Sequence, residues 1–97
     1  MLVAIERLDL KIPGSSSLKQ KRHVVKTLSN AIRSTFNVSV AEVDHLDLWQ
    51  RTTLGVAAVG GHEYHVRRVM REVETFVEAW GAVQLLACEL TLHQPED

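Results

Sequence analysis

Cysteine is nearly missing: Cys88 is the one thiol in 97 residues. A single thiol closes no internal disulfide, which excludes a disulfide-stapled scaffold and fits a reducing cytoplasm. Cys88 lies in the apolar run from Leu85 to Leu92 with no basic neighbour in sequence. A buried, inert thiol is expected there, not a nucleophile. Proline and glycine are sparse, two and five residues, and no low-complexity segment exceeds the serines at 15–17. No apolar run approaches bilayer length. The N-terminus carries Glu6 and Arg7 early and has no small-residue cleavage site, so no signal peptide is expected.

Net charge of either sign is also missing. Eleven basic and twelve acidic side chains leave a formal charge of −1, so no global field recruits nucleic acid. Catalytic and metal motifs are absent too. There is no GxxxxGK[ST]. His62-Glu63-Tyr64-His65 brings its second histidine one position too early for HExxH. Asp44, His45 and Asp47 are polar loop residues for which a solvated role is expected. No Ser-His-Asp or Cys-His arrangement can be placed. The reading is therefore no catalytic residue, no metal site, no cofactor and no membrane segment.

What is present is hydrophobic patterning and an uneven charge distribution. Hydrophobic residues make up 45% of the chain, enough for a globular domain, and the length predicts one domain, 1–97. Leu2, Ala4, Leu8, Leu10 and Ile12 alternate with Arg7, Asp9 and Lys11, predicting a strand over 2–12 that Pro13-Gly14 ends. Ser17 and Gln20 fit a capping box, so a helix over 18–35 should follow. Its buried stripe is Leu18, Val24, Val25, Leu28, Ala31, Ile32 and Phe36, with Asn37 as a left-handed stop. Strands are expected at 38–44 and 53–60, with Gly55 marking a bulge or close backbone approach. A second helix over 62–80, closed by Gly81, and a strand over 83–92 complete the chain. This order predicts an α+β, ferredoxin-like βαββαβ sandwich. Both helices should lie on one face of an antiparallel sheet with strand order 4-1-3-2.

Six basic residues and no acidic one lie between Leu10 and Ala41. Lys19, Arg22, Lys26 and Arg33 share a narrow helical arc, the arrangement that neutralises phosphates along a nucleic-acid backbone. Lys21 falls on the apolar side and should snorkel near the helix end. The alternative is an ordinary solvated face, although such faces usually mix signs, as the second helix does. Trp49, Gln50 and Arg51 are expected in a polar loop. Trp49 either stacks on an unpaired base or partner, or folds back to plug the sheet edge.

The segments SLKQKR (17–22), FNVSVAEV (36–43), DLWQ (47–50) and LGVA (54–57), in this order and spacing, resemble the YlxP-like family, a small bacterial family of unknown function. The resemblance covers essentially the whole chain and implies the same ferredoxin-like fold. It also implies a link to translation, through genes for an initiation factor and ribosome-binding factor A that adjoin family members. It supplies no catalytic residues; the matching positions are Ser17, Leu18, Lys19, Lys21, Arg22, Asp47, Trp49 and Gln50. The expectation is a non-enzymatic cytoplasmic protein that binds ribosomal RNA or the small ribosomal subunit. Lys19, Lys21, Arg22, Lys26 and Arg33 would make the nucleic-acid contacts, and Trp49, Gln50 and Arg51 auxiliary ones. The first alternative is an interaction or regulatory module acting through its sheet as a homodimer, with Val3, Ile5, Val83, Leu85 and Ala87 on the face away from the helices. A third reading, an acylphosphatase-like hydrolase, is disfavoured because the loop PGSSS carries no arginine.

Overall fold

The computed structural model describes residues 1–95. Among these, strand β1 spans Leu2–Lys11, helix α1 Leu18–Thr35, β2 Ser39–Asp44, β3 Arg51–Gly60, α2 Glu63–Glu78 and β4 Gln84–His93. The sheet order is β2-β3-β1-β4, every neighbouring pair antiparallel. This is the expected order read from the opposite edge. Among the described residues no helix is long and apolar enough to cross a membrane.

The core forms where the alternation of β1 meets the two helical stripes. Ala4, Leu8 and Leu10 pack with Leu54 and Val56 of β3, Leu28 and Ile32 of α1, and Val66, Met70, Val73 and Val77 of α2. Phe36 meets Phe76 edge-on at 5.6 Å, and Phe76 stacks on Trp80 at 5.7 Å. That chain of rings closes one side of the core against water.

Local chemistry explains the helix starts and stops. Ser17 Oγ accepts from the Gln20 amide at 3.1 Å, as a capping box requires. Gln20 Oε1 reaches one residue further back than the motif predicts, accepting from the Ser16 amide at 2.7 Å. Asn37 does not stop α1: the C-cap is Phe36 in extended backbone, and His45, with φ 60, is the non-glycine residue with left-handed backbone among those described. Likewise α2 ends at Glu78 with Ala79 as its cap, ahead of Gly81.

Two bulges set which side chains face the helices. In β4 the register passes from Asp9↔Ala87 to Leu10↔Leu85, skipping Leu86. The extra residue reverses the alternation. Val83 and Leu85 therefore join the helix side, Val83 in the core and Leu85 packed against it, which corrects their expected place on the open face. In β2 the register skips Val43 between Glu42 and Asp44. Gly55 fits the expected close approach, because an added Cβ there would lie 3.1 Å from Val43 Cγ1.

Candidate functional site

The outer face of α1 is built by helical periodicity alone. Lys19, Arg22, Lys26 and Arg33 are all exposed on it, over about 21 Å of helix at 1.5 Å per residue. The helix contains no acidic residue. Among the described residues Lys19, Arg22 and Lys26 form no ion pair. Arg33 differs from them: its guanidinium donates to Asn30 Oδ1 at 2.9 Å and to the Val40 carbonyl at 2.9 Å. It ties α1 to the edge strand β2, so part of its hydrogen-bonding capacity is already used.

Lys21 requires a correction. It does not snorkel; it is 0% exposed. Its ammonium lies 2.6 Å from Glu42 Oε2 and donates to the His45 carbonyl at 2.8 Å and the Leu46 carbonyl at 3.0 Å. All three N–H groups are satisfied within the protein. Thr52 Oγ1 donates to the same Glu42 oxygen at 2.6 Å. Lys21 thus cannot present its charge to a phosphate. It fixes the loop between β2 and β3 to the start of α1.

That loop separates the three residues expected to act together. Trp49 is 54% exposed and does not plug the sheet edge. Gln50 Nε2 donates to the carbonyls of Pro13 at 3.4 Å and Ser15 at 3.0 Å, and its carbonyl accepts from the Ile12 amide at 2.9 Å. Its contacts pin this loop to the one before α1. Arg51 is not in the loop: it is the first residue of β3, opposite Lys11, and half-buried. Beside these loops and the start of α1 lies an open groove of about 870 Å³, lined by Ile12, Pro13, Ser17, Lys19, His23 and Ala82 among others.

A second polar cluster lies where α2 packs on β1 and β4. Glu6 occupies a core-facing position in β1, between Ala4 and Leu8, and is 0% exposed. No nitrogen or hydroxyl donor meets either carboxylate oxygen among the described residues, and the group that faces it is the Glu74 carboxyl of α2. Desolvation, reinforced by the nearby Glu74 carboxylate of α2, pushes its pKa up to about 8. Cys88 of β4 completes the group, with one ligand atom from each residue within 4.8 Å of the others. The thiol is exposed, against the expectation of burial, because β4 is an edge strand. Partial desolvation and the Glu74 and Glu6 carboxylates push its pKa up. The sequence contains a signal for this cluster: position 6 interrupts an otherwise apolar alternation.

The face of the sheet away from the helices mixes charge with apolar surface. Ile5, Val43 and Val59 are exposed there. Arg7 lies 3.2 Å from Asp44 and 3.7 Å from Asp9. The His45 amide and then the Arg7 guanidinium hold the Asp44 carboxyl below its usual range.

Comparison with known proteins gives a concordant result. A family model described as "Protein of unknown function (DUF503)" matches residues 3–90. The chain is 29% identical over 83 residues to "Uncharacterized protein YlxP" of Bacillus subtilis (strain 168), covering 86% of this chain and 90% of that one.

Proposed function

The chain belongs to the DUF503 family, and from that premise we propose that it is a non-enzymatic cytoplasmic protein that binds RNA backbone through the outer face of α1, with the small ribosomal subunit as its target. The observation that carries this reading is the run of Lys19, Arg22 and Lys26. They are exposed on one helical face, and none is paired with an acid among the described residues. Such a face grips phosphates without reading bases. Arg33 contributes less because of its contacts to Asn30 and Val40, and Lys21 contributes only by holding the loop. Trp49 adds a surface on which one unpaired base can stack. The choice of ribosomal RNA as the polyanion rests on the translation link that the YlxP-like resemblance implies.

The test is a salt titration of single alanine variants against purified small subunits. Lys19→Ala, Arg22→Ala and Lys26→Ala should each weaken binding and flatten the slope of log affinity against log salt by about 0.7–0.9. Thermal melts should stay near the parent, since exposed helix positions tolerate alanine to within about 0.5 kcal/mol. A triple variant that binds as tightly as the parent at every salt concentration refutes the reading.

A second reading, an interaction module that pairs with its own copy through the open sheet face, is favoured by the exposed Ile5, Val43 and Val59. The hydrolase reading gains nothing from the loop before α1. Its Ser15 amide already donates to Ile12 O and its Ser16 amide to Gln20 Oε1, so neither is free to cradle a phosphate.

A further inference from the structure

We propose that Glu6, Glu74 and Cys88 form a binding site for one divalent cation of the zinc class. The inference is independent of the RNA reading and concerns a cluster drawn from β1, α2 and β4, with no residue of α1.

Three observations support it. The first is the donor set: two carboxylates and one thiol, one ligand atom from each, within 4.8 Å of one another. Mixed oxygen and sulfur donors suit a borderline ion such as Zn²⁺ or Co²⁺ better than the hard ions Mg²⁺ and Ca²⁺. The second is Glu6 itself. A fully buried carboxyl that no nitrogen or hydroxyl donor reaches among the described residues, and whose facing group is a second carboxyl, is costly to ionise. A carboxyl in such a place either keeps its proton or gives it up to a cation, and a coordinated metal is the cation that lets it ionise in the interior. The third is the absence of any competing cation: among the described residues no lysine, arginine or histidine forms an ion pair with Glu6 or Glu74. Glu78, one helical turn beyond Glu74, adds further negative charge near the thiol.

The geometry needs only modest closure. A tetrahedral ion with bonds of about 2.0–2.3 Å holds its ligand atoms roughly 3.3–3.8 Å apart. Glu6 is fixed in β1 by the core around it. Glu74 is half-buried and Cys88 exposed, so these two side chains can move inward by rotamer change. The exposure at Cys88 also supplies the entry path and leaves a fourth position for water. On binding, the thiol releases its proton to solvent, as does whichever carboxyl is protonated, and two carboxylates and one thiolate remain around the ion.

Cobalt titration of the full chain provides the test, because a thiolate ligand adds a charge-transfer band in the near ultraviolet that oxygen and nitrogen ligands do not. The parent should show this band saturating at one Co²⁺ per chain, reversed by added Zn²⁺, with Zn²⁺ also raising the melting temperature. Cys88→Ser should abolish the band, and Glu6→Gln and Glu74→Gln should each weaken binding at least tenfold. His62→Ala/His65→Ala should leave band and affinity unchanged, which separates the site from surface histidines. Cys88→Ser alters an exposed side chain, so it keeps the test valid if Glu6→Gln folds poorly. Absence of the band in the parent, or a band and affinity unaffected by Cys88→Ser and Glu74→Gln, overturns the proposal. The carboxyl pair then holds a shared proton instead of an ion.

Discussion

Breaking the Lys21–Glu42 pair should destabilise the protein more than any other single change of charge. Lys21→Met keeps the length and most of the volume of the side chain, so little cavity forms. It removes three donors. Glu42 Oε2 is left with Thr52 Oγ1, and the His45 and Leu46 carbonyls lose their shared ammonium. Removing one member of a buried pair costs about 3–5 kcal/mol. The Glu42 side chain is 16% exposed and can recover some hydration, which places the expected loss near the lower end, about 3 kcal/mol. For a chain of this size that corresponds to a fall in Tm of roughly 12–24 °C. Glu42→Met should cost a similar amount, because it strands a buried cation. The double variant should recover much of the loss, since apolar replacement of a whole buried pair is often neutral. The assay is urea unfolding followed by tryptophan fluorescence, with the midpoint moving at unchanged m-value. The coupling energy from the cycle should exceed about 1.5 kcal/mol. If both single variants stay within about 0.5 kcal/mol of the parent, Lys21 is not a buried structural cation and the account of the loop anchor is wrong.

In chelator, stability should fall as pH rises between about 4.5 and 8, because folded Glu6 keeps its proton to about 8 while the unfolded chain loses it near 4.5. The stabilisation is fully present below that window and lost above it. The total is at most about 5 kcal/mol, and Glu6→Gln should flatten the profile obtained by chemical denaturation across pH. Glu74 on α2 faces Glu6, and Cys88 on β4 faces Glu6, Glu74 and Glu78, so a residual slope in that variant reports on this group. Trp49→Ala should leave the melt nearly unchanged and cost about 1–3 kcal/mol of small-subunit binding; a large loss of stability instead would contradict its exposure. Gly60→Ala places a Cβ 2.6 Å from Val66 Cγ1 and should destabilise by about 1–3 kcal/mol through overpacking, checked by denaturant midpoint. Ile5→Ser/Val59→Ser should shift sedimentation toward monomer if the open face pairs two copies; a parent already monomeric at tens of micromolar excludes that interface.

Features with a short sequence range were the legible ones. Both helical stripes, the Ser17–Gln20 cap and the order of elements follow from residues within a few positions of one another, and the sheet order follows from connection rules. The cations of α1 were readable for the same reason: a helix places its residues on faces by spacing alone. The misreadings share a different cause. Helical spacing puts Lys21 on the apolar side, but nothing near it in sequence announces a partner, so snorkelling is the expectation. Its contacts are Glu42, His45 and Leu46, more than twenty positions away. Strict alternation puts Val83 and Leu85 on the open face, but one skipped residue, Leu86, inverts the alternation of β4. The apolar run around Cys88 suggests burial, but the predicted order 4-1-3-2 already places its strand at an edge, and there the thiol is exposed.

Glu6 shows where a pattern could have been pressed further. An alternating strand with one carboxyl among its inward positions predicts a buried acid, and a buried acid predicts either a compensating group or a retained proton. The pattern cannot name that group, because Glu74 and Cys88 reach Glu6 only through the α2 packing and the β1–β4 register. The same logic separates the two helices. On α1 the charged face is assembled locally and points to solvent, so its residues can be changed singly with the fold intact and binding as the readout. On α2 the inward carboxylate belongs to a cluster assembled across three elements, so a change there alters stability, proton binding and ion binding together. A variant set that includes Lys26→Ala and Glu74→Gln should therefore give opposite signatures. Lys26→Ala should lose salt-dependent affinity at constant Tm. Glu74→Gln should change Tm and its pH dependence at constant RNA affinity. Co-variation of the two readouts in either variant would mean that the helices do not act as separate surfaces.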